Sequence, residues 1–223
     1  MPKAVAMPAI AAPSAVNCTK LLPLPIDASP IRSPQALHSQ IADRIKGRSV
    51  VEVGTRNGDG LACMAQLASR AVAIEASAAY CSKLRKRAAT LPNGASFSVV
   101  CSRYQQATMP MADVYTWRQQ APHLTDAALL THLRRQQLAD RIAQTAVALI
   151  AFDLSWSVDR RSWKALSQRA AWAVRVPYDE RAACLVRAGR SSRQQHLCAQ
   201  RAHGMFILAE VPIAQISPPA EAG

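Results

Sequence analysis

The sequence lacks a long apolar run, a cysteine motif and a normal share of acids and aromatics. Aromatic residues make up 5%, and 14 Asp or Glu stand against 27 Lys or Arg. No run approaches the roughly 18 apolar residues of a membrane span, which predicts a soluble protein. The six cysteines have neither CxxC nor Cys/His spacing, which argues against a metal site. Since three of them lie in apolar runs, we expect reduced thiols and an intracellular protein.

The charge balance has two interpretations. A formal net charge of +13 favours attraction to a polyanion such as RNA, or to a smaller anionic acceptor. A GC-rich genome, which enriches alanine and arginine together, explains the same composition without any function. The second interpretation fits better the spread of the charge along the chain.

The chain divides into one domain and two tails. Residues 1–32 are rich in Ala and Pro and contain one acid, Asp27, which predicts a disordered or loosely packed tail. Residues 33–216 form the predicted single domain, and residues 217–223 form a short C-terminal tail. A cytoplasmic location is expected. The alternative is an organelle-targeting peptide in residues 1–32, which its prolines disfavour.

Short β-branched and apolar runs alternate with helical patterns, which predicts an α/β fold. The predicted strands are 49–53, 71–76, 96–102, 112–117, 146–154, 171–179 and 204–213. The predicted helices are 33–46, 59–68, 78–91, 125–144 and 161–170. Continuous apolar strands indicate a mostly parallel sheet with helices on both faces. No strong helical pattern separates the last two strands, so an antiparallel ending is expected.

A glycine-rich loop follows the first strand. In "VVEVGTRNGDG" the glycines are Gly54, Gly58 and Gly60, and the next helix begins at once. Such a loop lets the backbone approach a ligand closely. Glu75, at the end of the second strand, can accept hydrogen bonds from ribose hydroxyls. The alternative is a plain turn and a surface glutamate.

The glycine spacing limits which nucleotide fits. It does not match G-x-G-x-x-G, and no Gly-Lys-Ser/Thr follows for a phosphate loop. It formally matches the glycine pattern of short-chain dehydrogenases. These enzymes also need Tyr-x-x-x-Lys, and Tyr80 and Lys83 stand one residue too close. An NAD(P)-dependent oxidoreductase therefore remains the weaker alternative.

The segment "VVEVGTRNGDG" followed by "AVAIEAS" resembles motif I and the next acidic motif of class I S-adenosylmethionine-dependent methyltransferases. Glu52, Gly54 and Gly58 match the pattern E/D-x-G-x-x-x-G. The resemblance covers about residues 33–214. It implies a Rossmann-like methyltransferase fold with a mostly parallel seven-stranded sheet, helices on both faces and an antiparallel last strand.

The resemblance also implies a site for S-adenosyl-L-methionine. Glu52 would order the amino end of the cofactor, the backbone from Gly54 to Gly58 would lie against its methionine part, and Glu75 would hold the ribose. Ser102, after the third strand, is the candidate near the adenine. The full implied set is Glu52, Gly54, Thr55, Arg56, Asn57, Gly58, Glu75, Ala76 and Ser102.

The acceptor side carries no recognisable motif. Trp117 can stack on a flat substrate and Arg118 can pair with an anion, although core packing and solvation are the alternatives. Asp153 ends a buried strand at the expected ligand edge, or it caps the next turn. We expect a methyltransferase with an unidentified acceptor, a small molecule or RNA, and with no catalytic base assigned. The alternative is a non-catalytic binding or interaction domain with this fold.

Overall fold

The computed structural model describes residues 35–118, 124–154, 156–178 and 204–217. The N-terminal tail, residues 1–32, lies outside these ranges, as does nearly all of 217–223. The strands of the described part are β1 (Ser49–Val53), β2 (Arg70–Glu75), β3 (Ser98–Cys101), β4 (Val114–Trp117), β5 (Val147–Asp153), β6 (Trp172–Tyr178) and β7 (Gly204–Pro212). Its α-helices are α1 (Gln35–Ile45), α2 (Asp59–Met64), α3 (Ala78–Ala88), α4 (Asp126–Leu138) and α5 (Ser157–Leu166).

The seven strands form one sheet in the order β3-β2-β1-β4-β5-β7-β6. Strands β1 to β5 pair in parallel, whereas β7 runs antiparallel to both β5 and β6. The predicted mostly parallel sheet with an antiparallel last strand is confirmed. The order reverses between β1 and β4, and in open α/β sheets ligands bind at the carboxyl ends of the strands beside such a reversal.

Helices cover both faces of the sheet, as predicted. On one face the stripe Leu37, Ile41 and Ile45 of α1 is 2% exposed or less, because a spacing of four places these side chains on one side of a helix. Gly47 ends this helix: its φ is +71°, and its N–H donates to the Leu67 carbonyl. On the other face, Leu129 of α4 packs into a second apolar cluster.

Helix α4 is shorter than the predicted 125–144. It ends at Leu138, whose side chain is 55% exposed, and the backbone turns left-handed at Asp140. The buried stripe continues through Gln137, whose side chain donates to the carbonyls of Ala143 and Gln144. Leu138 therefore faces solvent, because the buried amide of Gln137 takes the next inward position of the helix.

Two cysteines form a disulfide beside the predicted ribose acid. Cys81 of α3 is bonded to Cys101 of β3. Cys101 is also the register partner of Glu75, and the Cys81 Sγ lies 3.4 Å from the Glu75 carbonyl oxygen. The expectation of reduced thiols is wrong for this pair, because α3 packs directly on β3 and brings the two side chains together.

No helix in the described ranges is long and apolar enough to cross a membrane. The same ranges contain no group of three or more His, Cys, Asp or Glu residues that could hold a metal ion.

Asp113 ties the start of β4 to the start of β1. Its carboxylate accepts from the Ser49 hydroxyl at 2.7 Å and from the Ser49 N–H at 2.8 Å. These two hydrogen bonds lower the pKa of the Asp113 carboxyl, with a smaller contribution from the charge of Arg48. A depressed folded pKa stabilises the fold above the ordinary value of about 3.9, and the stabilisation is lost as the pH falls through the folded pKa.

Exchanging Asp113→Asn is therefore expected to reduce the acid sensitivity of the fold. Urea midpoints measured from neutral pH to below about pH 3.9 should fall less in the variant than in the parent. The control is Asp43→Asn, which alters an exposed acid of α1. An equal acid-induced loss in the parent and the Asp113 variant would contradict the prediction.

Candidate functional site

Two glycines of the loop after β1 adopt a left-handed backbone. Gly54 (φ +73°) donates its N–H to the Ile74 carbonyl at 2.8 Å, which joins the loop to the end of β2. Gly58 (φ +79°) precedes α2, and a Cβ there would overlap the side chain of Leu84. Glycine is therefore favoured at both positions by the left-handed backbone, and at Gly58 the missing side chain also lets Leu84 pack closely.

Two further predicted residues, Thr55 and Arg56, shape the loop. The Thr55 hydroxyl donates to the Glu52 carbonyl at 3.0 Å, and the Gly58 N–H donates to the Thr55 carbonyl. Arg56 has a φ of +53°, an uncommon conformation for a residue with a side chain. This conformation directs the Arg56 N–H toward the carboxylate of Glu75.

Glu75 is buried at the carboxyl end of β2, with 6% of its surface exposed. Its Oε2 accepts from the Arg56 N–H at 2.8 Å, and its Oε1 accepts from the Ser77 N–H at 2.8 Å. A carboxylate oxygen can accept about two hydrogen bonds. The side chain is thus fixed by the backbone and still has acceptor capacity toward a ligand.

A cavity of about 270 Å³ lies between the loop and the ends of β2 and β3. Four of the predicted residues line it: Gly54, Glu75, Ala76 and Ser102. The rest of the lining is Val53, Ile74, Arg103, Tyr104, Gln105 and Leu124. Tyr104 and Leu124 had no sequence signal, because they come from loops that only the folded sheet brings to this edge.

Arg118 turns inward and pairs with Glu52. The guanidinium lies 2.9 Å from Glu52 Oε1, and both side chains are largely buried. Gly60 makes room for this pair, since a Cβ on Gly60 would collide with the Arg118 guanidinium and with the His38 imidazole. The third glycine of the loop therefore serves close approach of side chains.

His38 lies beside this ion pair and was missed as a site residue. It is 1% exposed, and its Nε2 has no hydrogen-bond partner within the part of the chain that the structure describes. Burial lowers its pKa well below the usual range, and the charges of Arg118 and Arg87 lower it further. The imidazole is therefore neutral at physiological pH.

Arg87 links α3 to the glycine loop and to the start of α2. It forms a buried ion pair with Asp59, the first residue of α2, and its guanidinium donates to the Asn57 carbonyl at 3.0 Å. The sequence places Arg87 in a basic stretch that suggests an outer face. Its spacing from Cys81 and Leu84 does indicate the inward face, since residues three apart on a helix are neighbours.

The other predicted acceptor-side residues do not converge. Trp117 is 1% exposed and its Nε1 donates to Asp126 at 2.7 Å, so its ring offers no face to a substrate here. Burial raises the pKa of Asp126, and the hydrogen bonds from Ser162 and Trp117 oppose that shift. Asp153 ends β5, and its N–H donates to Asp159 at 2.9 Å. The Asp159 carboxylate thus ties the first turn of α5 to the end of β5, and Asp153 stays a candidate ligand-edge acid or turn cap.

No protein-family model matches the sequence, and no curated protein matches it. Solved structures do match. YjhP from E. coli is 12% identical, with 83% of this chain and 96% of the other covered and a TM-score of 0.56. A SAM-dependent methyltransferase from Thiobacillus denitrificans, in complex with S-adenosyl-L-homocysteine, is 13% identical, with 88% and 97% covered and a TM-score of 0.54.

A third match is the ribosomal protein L11 methylase from Lactobacillus delbrueckii subsp. bulgaricus. It is 15% identical, with 79% of this chain and 77% of the other covered and a TM-score of 0.50. At these identities the likeness concerns the fold. Together with the strand order, it shows that the chain has the Rossmann-like fold of class I S-adenosylmethionine-dependent methyltransferases.

Proposed function

We propose that the chain binds S-adenosyl-L-methionine and transfers its methyl group to an acceptor. The observation that carries this proposal is Glu75, a buried carboxylate fixed by two backbone N–H groups at the wall of the cavity. A ribose presents two neighbouring hydroxyls, and a carboxylate with spare lone pairs can accept from both. Gly54 lines the same cavity as Glu75, and a larger side chain at this position would reduce the cavity volume.

The pair of Glu52 and Arg118 suits the amino-acid end of the same ligand. That end carries an ammonium and a carboxylate, and the pair offers one charge of each sign in a partly dehydrated place. We expect Glu52 to attract the ammonium and Arg118 to attract the carboxylate. Arg118, which the sequence suggested for an anionic substrate, is thus assigned to the methionine end.

The chemistry needs little from the protein beyond position. The cofactor supplies a methyl group on a positively charged sulfur, which makes that carbon electrophilic. The chain then binds and orients the cofactor and the acceptor, and it excludes water from them. Correct orientation alone can lower the activation barrier by several kcal/mol. A site without a recognised base is therefore compatible with catalysis.

One observation favours a second candidate, a binding domain without catalysis. The Arg118 guanidinium is already paired with the Glu52 carboxylate at 2.9 Å, so a ligand ammonium must compete with it for this carboxylate. Such a self-paired site is also expected where a fold has lost its ligand. Glu75 alone leaves open the weaker oxidoreductase alternative, because NAD(P) carries a ribose as well.

Calorimetric titration of the purified chain with S-adenosylhomocysteine, alongside NADH, tests these possibilities. We expect S-adenosylhomocysteine to bind and NADH not to bind. Glu75→Ala should weaken the binding by about tenfold or more, because a hydrogen bond to a charged group contributes roughly 1.5–3 kcal/mol.

The control for this titration is Glu210→Gln. Glu210 is also a largely buried acid, but it faces Arg44 and Arg48, so this variant should bind like the parent. Binding of neither ligand would favour the non-catalytic candidate, and binding of NADH alone would overturn the cofactor assignment.

A further inference from the structure

The start of α5 exposes apolar side chains at the edge of the sheet formed by the carboxyl ends of the parallel strands, the same edge at which the cavity lies. α5 follows the carboxyl end of β5, which is next to β4 in the sheet. Trp156, directly before the helix, is 42% exposed, and Val158 is 41% exposed. An indole with a solvent-facing surface at this edge is a place where a flat group can stack.

The exposed charges of this helix are all positive. Arg160, Arg161 and Lys164 are exposed, and so is Arg169 in the turn that follows. Asp159 is the one acid of residues 156–169; it is 4% exposed and accepts a hydrogen bond from the Asp153 N–H. The exposed charged side chains of α5 and of the turn that follows it are therefore all cationic.

Arg160 connects the cations to the indole. Its guanidinium donates to the Leu154 carbonyl at 2.6 Å, which holds the side chain at the carboxyl end of β5. The Arg160 N–H also donates to the Trp156 carbonyl, which begins the helix. A cation and an indole thus lie near each other after the carboxyl end of β5, and Arg161, Lys164 and Arg169 continue a row of exposed cations along the chain.

We propose that this α5 surface, made of Trp156, Arg160, Arg161, Lys164 and Arg169, binds a single-stranded nucleic acid. Bases stack on aromatic side chains, and cations spaced along a groove or helix follow the phosphates. A small anionic acceptor needs one or two cations and no row. The net charge of +13 adds long-range attraction for a polyanion. The proposal deepens the proposed function, because this strand would present the methyl acceptor.

Fluorescence anisotropy with a short labelled oligoribonucleotide measures this interaction directly. Trp156→Ala is expected to weaken the affinity on the order of tenfold, because stacking of a base contributes about 1–3 kcal/mol. Trp156→Phe keeps an aromatic face and should lose much less. Equal affinities of the parent and Trp156→Ala would overturn the proposal.

The salt dependence of the affinity tests the cationic row. Arg160→Gln should reduce the slope of log affinity against log salt by about 0.7, the contribution of one single-strand phosphate contact. Arg141→Gln, an exposed cation beyond α4 and outside this surface, should change the slope less. A flat dependence in the parent overturns the proposal, and so does competition by polyglutamate as strong as that by unlabelled oligonucleotide.

Parallel titrations keep this proposal separate from the cofactor assignment. Trp156→Ala should bind S-adenosylhomocysteine like the parent, since Trp156 is not part of the cavity lining. Suppose that the parent does not bind S-adenosylhomocysteine and that Trp156→Ala still binds RNA more weakly than the parent does. The nucleic-acid surface then stands, and the methyltransferase assignment falls. A DNA strand of the same sequence shows which sugar is preferred.

Discussion

Replacing Gly60 with alanine is expected to lower the free energy of unfolding by about 3 kcal/mol, since breaking a buried ion pair costs roughly 3–5 kcal/mol. Helix propensity alone predicts the opposite sign, because alanine in a helix is favoured over glycine by about 1 kcal/mol. Gly60 is the second residue of α2, and a Cβ there would collide with the Arg118 guanidinium and the His38 ring. The new methyl group must therefore displace Arg118 from Glu52.

Urea denaturation of four proteins decides between the two signs: the parent, Gly60→Ala, Arg118→Ala and the double variant. Once Arg118 is shortened, the alanine at position 60 has less to displace, so its cost should fall by more than 1 kcal/mol in that background, a coupling typical of residues in contact. If Gly60→Ala were at least as stable as the parent, the close approach of Arg118 and His38 to Gly60 would have no energetic importance.

Arg87→Met is expected to destabilise the fold by about 3–5 kcal/mol, because it leaves Asp59 buried without its guanidinium. Both partners are less than a tenth exposed. The same change removes the donor to the Asn57 carbonyl, so the glycine loop loses its tie to α3. Weaker binding of S-adenosylhomocysteine should accompany the loss of stability.

The neighbours of Arg87 provide a matched control. Arg85 and Lys86 lie on the same helix and are exposed, and surface substitutions usually change stability by less than about 0.5 kcal/mol. Arg85→Met and Lys86→Met remove the same positive charge at nearly the same place, so denaturation midpoints close to the parent are expected. If all three variants lost stability equally, the effect would come from net charge or methionine and not from the buried pair.

Most of the strand positions could be predicted because buried parallel strands give uninterrupted apolar runs. The run at 146–154 corresponds to β5, whose first six residues are buried. Helix ends were harder to predict. The predicted helix at 161–170 begins at Ser157 in the structure, and its first turn is held by a hydrogen bond from the Asp153 N–H to the Asp159 carboxylate, a contact that no periodicity reveals.

The half of the site on β1 and β2 was predictable because local chemistry marks it. Glycines at fixed spacing and an acid at a strand end are sequence features, and the structure brings Gly54 and Glu75 to one cavity. The pairing of Glu52 with Arg118 was not predictable, because the two residues lie 66 positions apart. His38, beside this pair, belongs to α1, where helical periodicity does not mark it as a site residue. For Trp117 the sequence left core packing and stacking on a substrate open, since an aromatic residue at a strand end can do either, and the structure packs it in the core.

The double attachment of Glu75 has a consequence for the kinetics of ligand capture. One carboxylate spans two separate stretches of backbone, the glycine loop at Arg56 and the turn at Ser77. The loop is therefore already shaped when a ligand arrives, and little conformational entropy remains to be lost on binding. A preorganised loop of this kind predicts a single-step association whose rate follows diffusion and charge, without a slow phase of loop closure.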